Sequence, residues 1–178
     1  SVHAVKGDNV WEMLAERAQT QTLLFAALAR SHTYRAPAGY TAAPPNIDWM
    51  RKASPKAVAY FIEHLDGLKT SLFILNGLIQ DFNYAGLVKE TGEVVSCQMH
   101  LPMPPRLSTT ADFFNPLVNK IEQTILSGKA TYPVERTLLT SGMTLFAVES
   151  LYRGQVRIET PELKIAYRAT PNSTFWKA

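Results

Sequence analysis

Three short reversals constrain this chain most. Asp66-Gly67, Asn76-Gly77 and Thr91-Gly92 separate four segments rich in strand formers. These are 57–65, 68–75, 79–88 and 93–100. Asp-Gly and Asn-Gly supply the left-handed backbone that tight hairpins need. Connections this short cannot carry the crossover that parallel strands require. The spacing therefore predicts an antiparallel meander.

Helical patterns flank it. Leu14, Ala18, Thr22, Phe25 and Leu28 recur at helical spacing, with a weak stretch over Gln19–Thr22 and a cap at Asp8 or Asn9. Val2–Val5 reads as a short strand. A second helix is predicted from the cap candidates Ser108–Asp112 to Ser127, with Phe113, Leu117, Ile121 and Ile125 in one stripe and Gly128 as its stop. A third starts at Pro133 and ends at Gly154, with Val134, Leu138, Leu145, Val148 and Tyr152 marking its buried face. Gly142 inside it predicts close approach of another backbone. Two last short strands are expected at 156–159 and 163–167. The proline-rich stretch 32–55 reads as a long surface loop with one turn near Asp48–Arg51, and 169–178 as a mobile tail.

The expected class is α+β: an open, mainly antiparallel sheet with helices on one face. At 178 residues, 46% hydrophobic and 19% charged, one domain with a substantial core is expected. The net charge of +3 is dispersed, without a basic run, so nucleic acid is not an expected partner. No apolar run approaches the roughly 18 residues of a membrane span. The one cysteine, Cys97, excludes an internal disulfide and reads as a small buried hydrophobe, which fits a reducing, cytoplasmic compartment. With Ser1 in place of Met, the chain is expected to be a processed or excised piece.

Motifs of chemistry are absent. There is no G-x-G-x-x-G, Walker loop, G-x-S-x-G elbow or H-E-x-x-H. The four histidines lie far apart, so no metal site is expected. No catalytic residue, cofactor ligand or metal ligand is assigned. The candidate small-molecule contacts are His64, Asn83, Tyr84 and Arg136. His64 closes a strand beside a turn. It is either a polar contact at the sheet rim or an ordinary strand end, and Glu63 beside it points to the opposite face. Asn83 and Tyr84 either line a pocket or face solvent. Arg136 either anchors an acidic group or pairs with Glu135 or Glu159.

From Asn119 the order of features is specific. Asn119–Lys129 is an amphipathic helix closing on a glycine. Tyr132-Pro133-Val134-Glu135-Arg136 opens the next helix, which runs through Val148-Glu149-Ser150 to Gly154, and Val156–Glu159 follows. This resembles the C-terminal half of the glucose–fructose oxidoreductase / inositol dehydrogenase / rhizopine-catabolism (Gfo/Idh/MocA) family. The resemblance covers 57–167 as architecture and is specific over 119–159. It implies a substrate-side and oligomerisation domain. A homodimer would form through the open sheet face, and a sugar or polyol is the implied ligand class.

The family's Rossmann domain, its Glu-Lys-Pro segment and its Asp-x-x-x-His pair have no match. Asp48 is followed four residues on by Lys52, and Asp81 by Ala85. No catalytic residue carries over, and NAD(P) is implied only where a further N-terminal domain exists. The alternative is a stand-alone small-ligand-binding domain or small enzyme with 32–55 as a lid.

Overall fold

The computed structural model describes residues 1–33, 46–98 and 114–168. It divides into two compact units, 1–100 with 145–160 and 101–144 with 161–178. The fold is α+β with antiparallel sheets, as the turn spacing predicts. No helix among the described residues is long and apolar enough to cross a membrane.

In the first unit, β1 (Val2–Lys6), β2 (Val58–Glu63) and β3 (Lys69–Ile74) form a sheet in that order. Ala4 pairs with Tyr60, and Ala59 with Phe73. Gly67, at φ +83°, turns the β2–β3 hairpin, whose mouth is closed by His64 N–H donating to the Leu68 carbonyl at 2.9 Å. β4 (Asn83–Leu87) and β5 (Val94–Gln98) form a separate hairpin.

The expected four-strand meander is thus two hairpins in two sheets, with β1 as the third strand of the first. The break lies at 75–79. There Leu78 N–H donates to the Leu75 carbonyl, and both side chains are buried in the core. The segment plugs the core instead of extending a ladder. Ser54, fully buried, holds the turn by donating to the Asn76 carbonyl at 3.0 Å.

Helices α1 (Asp8–Ala15), α2 (Ala18–Leu28) and α3 (Ile47–Ala53) cover one face of the first sheet. Val10, Trp11, Leu14, Leu24, Leu28 and Met50 bury there against Val5 and Ala59. Phe61 and Phe73 meet edge to face at 5.9 Å, and the Arg17 guanidinium lies over Phe61. The helical stretch is two helices, broken at Glu16–Arg17 rather than at Gln19–Thr22. The first is capped by Gly7 with no side-chain bond, so neither Asp8 nor Asn9 is the cap. α3 replaces the single turn expected near Asp48, because Asn46 caps it by accepting the Trp49 N–H at 2.8 Å. Residues 34–45 of the expected loop, the tail from 169 and the cap candidates at 108–112 lie outside the described residues.

The opposite sheet face is also covered. Ala147, with Phe146 and Leu151, packs on Val2, Ala4, Tyr60 and Ile62. Beside them Ser150, fully buried, accepts the Ala4 N–H at 2.9 Å and donates to the Val156 carbonyl. The expected strand 156–159 is a single bridge, Ile158 to Val2. Gln155, at φ +68°, holds that edge: its carboxamide oxygen accepts from Lys6 N–H and its carbonyl from the His3 ring. Ser150→Ala is expected to cost about 1–3 kcal/mol, since the Ala4 donor loses a partner in a site closed to water. Chemical denaturation monitored by circular dichroism measures it.

The second unit holds α4 (Asn115–Ser127) and the first part of α5 (Val134–Tyr152). Gly128 ends α4 at φ +64°, as expected. Pro133 precedes α5, also as expected. Gly142 meets the Leu163 side chain rather than another backbone. A short 3₁₀ turn, Pro161–Leu163, stands where a last strand was expected, and no ladder follows it among the described residues.

Two apolar stripes depart from expectation. Val134, Leu138, Leu145, Val148 and Tyr152 do not form the buried face of α5; all five are exposed. The buried positions, Ala147 and Ser150, lie on the other side of the helix. In α4 no residue is buried.

Candidate functional site

The densest polar cluster among the described residues centres on Asp81, just before β4. One carboxylate oxygen accepts from Ser31 Oγ at 2.8 Å and Asn83 Nδ2 at 2.7 Å. The other accepts from His32 N–H at 2.8 Å and Gln98 Nε2 at 2.7 Å. Burial alone would raise the Asp81 pKa. Donation from Ser31, Asn83, His32 and Gln98 outweighs it and holds the group at about 2.

Local chemistry explains the parts. α2 ends at Leu28, and Ser31–Thr33 leave it as an irregular segment with free donors. Thr33 Oγ1 accepts the Gln80 N–H at 2.7 Å, and Arg30 reaches Ser96 Oγ at 2.9 Å. Asn83 and Gln98 are cross-strand partners, so the β4–β5 register brings both amides to one carboxylate. The cluster pins the end of α2 onto the second sheet. Asp81 stays ionised throughout the neutral range, and its lone pairs are occupied. The arrangement therefore positions a segment and offers no general base. Asn83 Oδ1 is buried without a partner.

Of the four candidate contacts, Asn83 alone belongs to this cluster. Tyr84, next to it, points the other way and is exposed, its ring lying over Gly86. His64 sits at the end of the first sheet's hairpin, its Nε2 3.0 Å from Thr70 Oγ1. Arg136 lies in the second unit, 4.8 Å over the Tyr132 ring. Glu159 is instead bonded by Arg157, which also reaches Glu63 at 3.2 Å.

Cys97 is exposed, not buried: it pairs with Tyr84 on the outward face of β4–β5, while Ser96 and Gln98 take the half-buried face. Of this cluster the sequence pattern singles out Asn83 as a candidate contact, but not Ser31 or Gln98. Nothing in their local pattern marks them.

A second feature is an open depression of about 360 Å³ lined by Gln21, Phe25, Asn46, Ile47 and Asp48. No group of three or more histidine, cysteine or acidic side chains among the described residues is placed to hold a metal ion. Comparison with protein-family models, curated proteins and solved structures finds no match.

Proposed function

We propose that this chain is a substrate-binding and oligomerisation domain, resembling the C-terminal half of NAD(P)-dependent Gfo/Idh/MocA oxidoreductases and not catalytically competent alone. The observation that carries this reading is α4. Its apolar residues Leu117, Val118, Ile121, Ile125 and Leu126 are 50% to 80% exposed, whereas Asn119, Lys120 and Thr124 are less so. An amphipathic helix that turns its apolar stripe to water is built for a partner. Leu68 and Leu72, at and beside the β3 edge, add apolar surface on the first sheet. Among the described residues the best-connected carboxylate, Asp81, is committed to hydrogen bonds, which suits a binding module better than an enzyme.

Light scattering over roughly a hundredfold concentration range tests the reading, because self-association obeys mass action. A mass that climbs toward the dimer is expected. A monomer mass at every concentration would sink it.

The depression between α2 and α3 favours a second reading, a small-ligand-binding domain, because its volume lies within the range of ligand pockets. Sugars or polyols that raise the melting temperature of a strictly monomeric protein would favour that alternative.

A further inference from the structure

β4 and β5 form a sheet of two strands, so each has an edge with no strand beside it among the described residues. The register fixes which groups lie on the outer edge of β5. Val88 N–H donates to the Glu93 carbonyl at 2.8 Å, so 88 and 93 are a bonded pair. Bonded and non-bonded pairs alternate along an antiparallel ladder. Gly86 with Val95 and Tyr84 with Cys97 are therefore the next bonded pairs. Val94, Ser96 and Gln98 turn their backbone N–H and C=O groups outward, and no backbone group among the described residues takes them. Proteins normally block such an edge with charge, proline or cover, because it is a template for another strand. The first sheet does so. Its β1 edge is taken by Ile158 and the Gln155 carboxamide, and its β3 edge begins with Lys69. β5 has no such device. Val94-Val95-Ser96-Cys97-Gln98 carries neither charge nor proline, and Val94 and Val95 are 38% and 40% exposed. β4 is also uncharged but contains Gly86, which gives a cross-strand neighbour nothing to pack on.

We propose that the occupant of the β5 edge is β5 of a second copy of this chain, antiparallel about a two-fold axis at Ser96, so that two hairpins join in one continuous sheet. The edge is self-complementary about that residue. Ser96 exchanges backbone bonds with the partner's Ser96, and Val94 with the partner's Gln98, so every outward donor meets an acceptor. Val95 falls directly opposite the partner's Cys97, and by symmetry Cys97 opposite the partner's Val95. This is the closer, non-bonded kind of pair, on the face turned away from Ser96 and Gln98. Val95 and Cys97 are both exposed, so the match covers apolar surface that a single copy leaves in water. The uncharged strand brings no like charges together across the axis. One strand pair is smaller than the roughly 800 Å² per partner of a standard interface, so the dimer belongs to the weak, concentration-dependent class. This inference rests on the assembly reading above and names a surface for it that lies wholly within the first unit.

Two measurements test it. Val95→Cys, with the native Cys97 kept, probes the register. Opposed residues of a non-bonded pair have Cα atoms about 4.5 Å apart, within disulfide reach. Under mild oxidation this variant is expected to become a covalent dimer on non-reducing gels at least about tenfold faster than wild type or Val95→Cys with Cys97→Ser. Separately, Val95→Lys with Cys97→Lys sets like charges against each other across the axis, whereas Val95→Lys with Cys97→Glu sets opposite charges there. Sedimentation equilibrium is expected to show dimerisation weakened at least about tenfold in the first variant and restored toward wild type in the second. The circular dichroism melts of both should change little, since both sites are exposed.

A dimer that stays at full strength in both charged variants, without the covalent trapping, would overturn the β5 edge while leaving assembly through another surface standing. Equal weakening by the two charged variants would overturn the pairing of Val95 with the partner's Cys97. A wild-type chain that stays monomeric would overturn both readings.

Discussion

Trp11→Ala is expected to destabilise the first unit by about 3–5 kcal/mol, the largest single effect in the described chain. Trp11 is 2% exposed and sits where α1 meets the first sheet, among Val5, Leu14, Leu28 and Met50. No neighbour can fill the space its indole leaves, because helices and strands on all sides are already packed.

Trp11→Phe should behave differently. The indole Nε1 is buried without a partner, and an orphaned donor costs about 1–3 kcal/mol. Phenylalanine removes that donor while keeping most of the ring, so the two effects offset and the net cost is expected to stay below about 1.5 kcal/mol. Thermal melts of both variants check this. For a chain of this size the alanine variant should lose about 6–20 °C. Equal damage from both substitutions would show that the indole nitrogen has a partner after all.

The second large effect concerns Asp81. Asp81→Asn is expected to cost about 2–3 kcal/mol near neutral pH, because one carboxylate oxygen becomes an amine that faces donors. The native residue also makes stability depend on acid. Its pKa is about 2 in the folded protein against 3.8 for the free group. A depressed carboxylate contributes stability that is fully present above the unfolded value and is lost as pH falls through the folded one. The contribution, discounted for partial exposure, is about 1–2 kcal/mol, and it should fade between about pH 4 and pH 2. Denaturant titrations at about pH 6 and pH 2.5 on wild type and Asp81→Asn measure it. The gap between the two proteins should narrow in acid. A gap that stays constant would mean that the Asp81 carboxylate is not what the four donors hold.

The same comparison separates the roles of the cluster. Gln98→Leu removes one donor and leaves three, whereas Asp81→Asn loses two of the four contacts and the charge behind the other two. That asymmetry follows from the geometry: the carboxylate is the hub, and Ser31, His32, Asn83 and Gln98 each touch it.

Legibility in the sequence tracks how local the physics is. The β2–β3 and β4–β5 hairpins follow from Asp66-Gly67 and Thr91-Gly92, since a short glycine-closed reversal dictates the pairing of its flanks; the loops are 65–67 and 89–92. The end of α4 follows from Gly128 and the start of α5 from Pro133, because caps act within one turn. The α+β class with antiparallel sheets was therefore readable from the residues alone.

What only the tertiary structure decided is which apolar face meets what. On α5 both sides carry hydrophobic residues: Ala147 and Phe146 on one, Leu138 and Leu145 on the other. Periodicity cannot choose between them, and the more obvious stripe turned out to be the exposed one. The first sheet selects the face with Ala147 and Ser150, because small side chains let the helix approach Val2 and Ala4 closely. The Asp81 cluster was hidden for the same reason, since Ser31 and Gln98 lie 67 positions apart and meet only after α2 docks on β4 and β5. Local turns and caps are set by bonds within a few residues, whereas burial depends on which surfaces the folded chain brings together.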